Sequence, residues 1–138
     1  MHHIIYSSRI AGGMSPTELI TLLMGACQAN EAVGITGALV YSHERFMQLL
    51  EGERQVIQRL YGRIERDERH YEVNKLVDKE TRERTFPGWP MAFRRVSLTQ
   101  FEDLATFLTP MQHELQVVTA NPVESRMLAH LRQVVLEW

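Results

Sequence analysis

A chain of 138 residues has room for one domain with a modest core, and its apolar share of 44% excludes a disordered polymer. Lys plus Arg number 15 against 17 Asp plus Glu, and the formal net charge of −2 gives no general attraction for nucleic acid. Cys27 is the single cysteine, which excludes an internal disulfide or a paired-cysteine metal site and fits a reducing, cytoplasmic setting.

The chain opens on His2–Ser8, where Ile4, Ile5 and Tyr6 favour a strand. A secretory signal is not expected there, because the basic and apolar regions are lacking. Ser15-Pro16-Thr17-Glu18 is a helix start: Ser15 caps, Pro16 suits the first turn and Glu18 completes a capping box. Leu19, Leu22, Leu23 and Ala26 follow at helical spacing, with Asn30 near the end of the same broad face. Gly34-Ile35-Thr36-Gly37 leads into a second strand at Ala38–Ser42. His43-Glu44 makes a tight turn, and Arg45–Glu51 is its hairpin partner. Val56, Leu60 and Ile64 recur every four residues through Glu53–Arg66 and predict a second helix.

His70–Lys79 is a fourth strand, and a fifth is expected around Met91–Ser97 after Pro87 and Pro90. The order β-α-β-β-α-β-β predicts an α+β domain, a ferredoxin-like mixed five-stranded sheet with two main helices on one face. Beyond it, Phe101, Leu104, Phe107 and Leu108 suggest a short helix, and Asn121-Pro122-Val123-Glu124 starts another bearing Met127, Leu128, Leu131, Val134 and Val135. These C-terminal helices are expected to cover the other face of the sheet or to form a subunit interface. No segment approaches the roughly 18 uninterrupted apolar residues of a membrane span, so no membrane partner is expected.

Gln48 carries the most information about function. Strand alternation puts it with Phe46 and Leu50 on one face, and an internal carboxamide needs both donor and acceptor partners. It reads either as an edge-strand glutamine touching water or backbone, or as a ligand contact. Tyr6 shares parity with Ile4 and Ser8, so its ring belongs to the core while its hydroxyl seeks a polar neighbour. Asn30 either caps locally or offers its amide to a heterocycle. Trp89, Met91 and Phe93 share one face if Pro90 leaves the alternation intact, and either pack in the core or close an aromatic pocket. Arg69, beside His70, pairs with Asp67 or with a ligand phosphate.

Other features are weaker. Arg82, Arg84, Arg94 and Arg95 read as a solvated basic edge, with no nucleic-acid module around them. His2-His3 reads as a flexible terminal pair, and His43, His70, His113 and His130 have no closed-site spacing with Cys27, so no metal is expected. Gly34–Gly37 lacks the pattern of a phosphate loop. No nucleophile, base and orienting residue assemble from spacing, so no enzyme is expected.

Taken as an ordered set, these residues resemble a BLUF domain, a blue-light sensor that uses FAD. The landmarks are Tyr6-Ser7-Ser8-Arg9, Asn30 before Gly34-Ile35-Thr36-Gly37, Phe46-Met47-Gln48-Leu49-Leu50-Glu51-Gly52, Asp67-Glu68-Arg69-His70, and Arg84-Thr85-Phe86 before Trp89-Pro90-Met91. The resemblance implies a non-covalently bound FAD between the two main helices. By similarity Tyr6 and Gln48 are the photoactive pair, with Gln48 bridging Tyr6 to the flavin. Asn30 holds the imide side, Phe46 and Ile64 line the ring pocket, and Arg69 and His70 lie near its polar end. Several relatives have two adjacent polar residues before the glycine segment; here the first is Ala29, so only Asn30 carries over. Trp89 and Met91 resemble the pair that shifts during signalling in some members.

The resemblance divides the chain into a flavin-binding photosensor at residues 1–98 and a helical extension at 99–138 serving packing, oligomerisation or output. It implies a homo-oligomer and a separate protein as output partner. A light-independent protein-interaction module and a small-molecule enzyme are the competing readings.

Overall fold

The chain runs β1 (His2–Ile10), α1 (Pro16–Ala32), β2 (Thr36–Ser42), β3 (Arg45–Gly52), α2 (Arg54–Glu65), β4 (His70–Glu80) and β5 (Ala92–Arg95). The computed structural model describes residues 1–12, 15–104, 129 and 133. The strands form one sheet in the order β4-β1-β3-β2-β5, antiparallel except where β2 pairs with β5.

Local chemistry sets the boundaries. At the start of α1 the Ser15 hydroxyl accepts the Glu18 N–H at 3.1 Å, with Pro16 in the first turn. The helix stops at Val33, and Gly34 takes a φ of 73° to turn the chain towards β2. Between β2 and β3, His43 adopts a φ of 57° in a two-residue turn that leaves Ser42 opposite Arg45. Gly37 is fixed by close approach, since a Cβ there would lie 1.9 Å from the Leu49 carbonyl oxygen.

Strand alternation divides the apolar residues between two faces. Ile4, Tyr6, Leu39, Phe46 and Leu50 face α1 and α2, meeting Leu19 and Leu23 of the first helix and Ile57 and Tyr61 of the second. Ile5, Val40, Met47, Leu49 and Val77 face the other way and pack with Phe86, Phe101 and Leu104. Residues 98–104 are helical, and Phe101 and Leu104 from them pack on this second face. Burying each large apolar side chain contributes about 1.5–3 kcal/mol, and both faces depend on such contacts.

Three expectations need correction. His2 and His3 are no loose terminal pair; both are buried in β1, and the His2 Nε2 bonds the Asp78 carboxylate. β3 is the central strand, so the edge-strand reading of Gln48 does not hold. β5 is shorter than expected, since Met91 precedes it and Val96 leaves it to donate its N–H to Tyr41 O at 2.9 Å. Phe107, Leu108 and the helix predicted from Asn121 lie outside the described residues, apart from Ala129 and Gln133, which are helical and exposed. Among the described residues no helix is long and apolar enough to cross a membrane.

Candidate functional site

The face of the sheet beneath the two helices is not filled completely. A cleft of about 260 Å³ lies over β1, β2 and β3 with α1 and α2 as its walls. That volume is near the lower end of small-molecule pockets, roughly 300–1,000 Å³, and suits a ring system more than an entire dinucleotide. Its sides are apolar, from Leu22, Leu23 and Ala26 of α1, Leu39 and Phe46 of the sheet, and Leu60 and Ile64 of α2.

Tyr6 and Gln48 meet on its floor. They are directly paired residues of adjacent strands, so the antiparallel register itself brings phenol and amide together. The Tyr6 hydroxyl donates to Gln48 Oε1, and Gln48 Nε2 donates to Met91 Sδ at 3.4 Å. Desolvation pushes the Tyr6 phenol well above the ordinary tyrosine range, and Tyr61 and Asp67 add to the effect. The phenol is therefore a neutral donor throughout the physiological range. One amide N–H of Gln48 is left for an occupant of the cleft, because sulfur is a weak acceptor and takes only one.

Asn30, 4% exposed, also borders the cleft. Its Nδ2 donates to Pro90 O at 3.0 Å, leaving its carbonyl and second N–H as cleft-side partners. The local-cap alternative is thereby set aside for its side chain, although its backbone carbonyl does accept the Val33 and Ile35 N–H groups.

His70 closes the end near α2. Its Nε2 lies 2.5 Å from Ile64 O, which can only accept, so that nitrogen carries the proton. Nδ1, 3.0 Å from Ser8 Oγ, then accepts from the hydroxyl. The ring meets Tyr6 edge-on with centroids 6.4 Å apart. Arg69 pairs locally: its Nε donates to both Asp67 oxygens at 2.9 and 3.0 Å. Those bonds hold the Asp67 carboxyl down at about 2 and raise the Arg69 guanidinium further.

Tyr6, Asn30, Phe46, Gln48, Ile64, Arg69, His70 and Met91 thus border a single cleft. Trp89 does not. It is 48% exposed, and only its backbone is tied in, through a 3.0 Å bond from Gly37 N to Trp89 O. The expected aromatic face from Trp89 through Phe93 does not form, because the strand begins only at Ala92. Phe93 stacks on Tyr41 at 5.1 Å instead.

Sequence reasoning missed Arg63, a cation at the cleft that makes no ion pair among the described residues. Its signal was faint: position 63 is exposed on the flank of α2, three residues after Leu60. Arg84 was misplaced, since it is half-buried and hydrogen-bonded into the turn after α1 rather than part of a solvated edge. No group of three or more His, Cys, Asp or Glu side chains is arranged to hold a metal among the described residues.

Comparison with known proteins gives consistent matches. The family model "BLUF: Sensors of blue-light using FAD" matches residues 1–92. The photoactivated adenylate cyclase subunit beta of Euglena gracilis is 34% identical over 113 residues, covering 81% of this chain and 12% of that protein. The alpha subunit from the same organism is 36% identical over 112 residues, covering 81% of this chain and 10% of that protein. The chain therefore spans about a tenth of the length of these relatives. Among solved structures, the photo-activated state of BlsA superposes with a TM-score of 0.73 at 26% identity, over 95% of this chain and 94% of that one. BlrB, a BLUF protein in its dark state, gives 0.68 at 26% identity over the same shares. Klebsiella pneumoniae BlrP1 with FMN and cyclic diGMP gives 0.66 at 29% identity, over 99% of this chain and 34% of that one.

Proposed function

The chain belongs to the BLUF family of blue-light sensors using FAD, and from that membership we propose that it holds the flavin ring in the cleft between α1 and α2 and reports light through the Tyr6–Gln48 hydrogen bond. The matched family is a sensing family rather than a catalytic one, and its cofactor is FAD. The residues fit that group. Apolar walls suit a flat heteroaromatic ring, and the unspent donors and acceptors of Gln48 and Asn30 suit its polar edge. Arg63, with the Asp67–Arg69 pair, suits the charged remainder at the mouth.

When bound, a flavin supplies an electron acceptor that becomes much stronger on absorbing blue light. The chain's part is set by its own geometry. Burial keeps Tyr6 from ionising, so it can lose its proton only together with an electron. Gln48 Oε1 already receives that proton's hydrogen bond, and the amide can release a proton from Nε2 in turn. Return of electron and proton to Tyr6 leaves Gln48 rotated or tautomerised, with its partners exchanged. A rotated amide gives up Met91, which lies just ahead of β5, and this supports Met91 as the first residue beyond the photoactive pair to register the change. Trp89 belongs to the same segment and moves with it through its backbone. The signal then passes to a second copy of the chain or to a separate protein.

The single observation that carries this reading is the buried phenol–amide hydrogen bond at the floor of an apolar cleft. Absorption of freshly purified protein before and after blue illumination tests it. A flavin spectrum with a reversible red shift is expected. Folded protein that neither contains nor takes up flavin overturns it.

A further inference from the structure

Strands β4 and β5 lie at opposite edges of the sheet, so the segment joining them crosses its full width. Residues 81–91 make that crossing without a helix or strand of their own. A segment of this kind needs anchors, and its main one is a charged group that the light-sensing scheme does not use.

The Glu51 carboxylate is 0% exposed, on the second face of the sheet. Its Oε2 accepts the Thr85 N–H at 2.7 Å, and its Oε1 accepts the Phe86 N–H at 2.7 Å and the Thr36 hydroxyl at 3.1 Å. Two consecutive backbone N–H groups converging on one carboxylate make a small anion-binding nest, and such charge-assisted bonds are the strong kind. Arg84 completes the arrangement. One guanidinium nitrogen donates to Thr36 Oγ1 at 2.7 Å and Glu51 O at 3.1 Å, and the other donates to Gly34 O at 2.9 Å. The crossing is thus clasped to β3, to the start of β2 and to the turn after α1 at one place.

Beyond the clasp, residues 89–91 carry the crossing to the cleft. Trp89 O accepts from Gly37 N, Pro90 O from Asn30, and Met91 Sδ from Gln48. Glu51 shares β3 with Gln48 but projects to the other face, so one strand holds both the clasp and the amide. A slip of the crossing by one residue would remove Met91 from Gln48 and aim another side chain at it.

We infer that Glu51, seconded by Arg84, is a positioning residue that fixes the crossing in the register bringing Met91 to Gln48. The optical consequence rests on the flavin-sensing reading of the cleft; the clasp itself does not.

The test uses the full-length, flavin-loaded chain with Glu51→Gln, which keeps the volume but turns one acceptor into a donor facing a backbone N–H. Residue-resolved amide exchange in the dark is expected to quicken about tenfold or more at Thr85 and Phe86. Dark recovery after illumination is expected to change by the same factor as in Met91→Leu, and the Glu51→Gln/Met91→Leu double variant to show no further change. A purely structural role gives independent, multiplying effects on recovery instead. Unchanged exchange at both amides, or multiplying effects in the double variant, overturns the inference. If Glu51→Gln does not fold, Arg84→Gln at its half-buried position carries the same two measurements. If the parent protein shows no light response, it is the sensing reading that fails, and the exchange measurement alone still decides the clasp.

Discussion

Tyr6 and Gln48 are directly opposite residues of β1 and β3, and the tyrosine hydroxyl donates to the glutamine carbonyl in the interior of the sheet. Neither residue depends on a loop for its position. The ladder that fixes their backbones sets the two side chains against each other, the rigid support that the proposed proton relay needs.

Tyr6→Phe keeps the ring and its edge contact with Tyr61 but removes the donor. The variant is expected to retain flavin and to lose the persistent red-shifted state. Light-minus-dark absorption checks this, and an unchanged shift removes Tyr6 from its role. Leaving Gln48 Oε1 without its partner costs about 1–3 kcal/mol, visible as a lower urea midpoint in the same variant.

Asn30→Ala removes both the bond to Pro90 O and an amide from the wall of the cleft. Flavin affinity is expected to fall about tenfold, the effect of one lost hydrogen bond of roughly 1.4 kcal/mol. Quenching of flavin fluorescence on titration measures it. Affinity equal to the parent chain's excludes Asn30 as a contact.

Stability is expected to decline at both ends of the pH scale. Asp67 is lowered to about 2 by its bonds from Arg69. Burial works to raise Asp78, yet bonds from His2, Lys75 and Gln58 outweigh it and hold that carboxyl at about 2 as well. A depressed carboxyl stabilises the fold above its unfolded value of about 4, and the contribution disappears as pH falls towards 2. Tyr61 is pushed up to about 12 by burial, then by Glu65 and Asp78. Its contribution is present below about pH 10 and is lost above it, as the unfolded chain ionises first. Thermal melts from acid to alkali check both limbs, with Asp78→Asn expected to reduce the acid slope, where Asp67 remains, and Tyr61→Phe the alkaline slope, where Tyr6, raised further by burial, remains.

Phe101 is 0% exposed against the second face, and the Arg45 guanidinium lies 4.7 Å from its ring centre. Phe101→Ala is expected to cost about 3–5 kcal/mol, as large-to-small changes at filled aromatic sites do. Urea denaturation measures the loss. A cost under about 1 kcal/mol would mean that residues 98–104 contribute little to the core, and that the photosensor stands without them.

Most of the fold and much of the site were legible because they are local or periodic. Ser15-Pro16 announces α1, a period of four announces α2, and alternation groups Tyr6 with Ile4 and Gln48 with Phe46 and Leu50 before any pairing is known. Alternation says which face a residue takes but not what crosses that face. The inward turn of Arg84 and the exposure of Trp89 therefore had no signal in a non-periodic segment broken by Pro87 and Pro90, and neither did the burial of Glu51 in β3 beneath that segment.

The sequence by itself determined where the two main helices and the first four strands run, which sides of the helices are apolar, and which side chains were candidates for light chemistry. Only the tertiary structure decided that β3 lies at the centre of the sheet, that its register sets Gln48 against Tyr6, and that the crossing beneath it delivers Met91 to the same amide. The division has one physical cause. Propensity and period act between near neighbours along the chain, whereas strand order and the partners of a buried charge are settled by contacts between residues far apart in sequence.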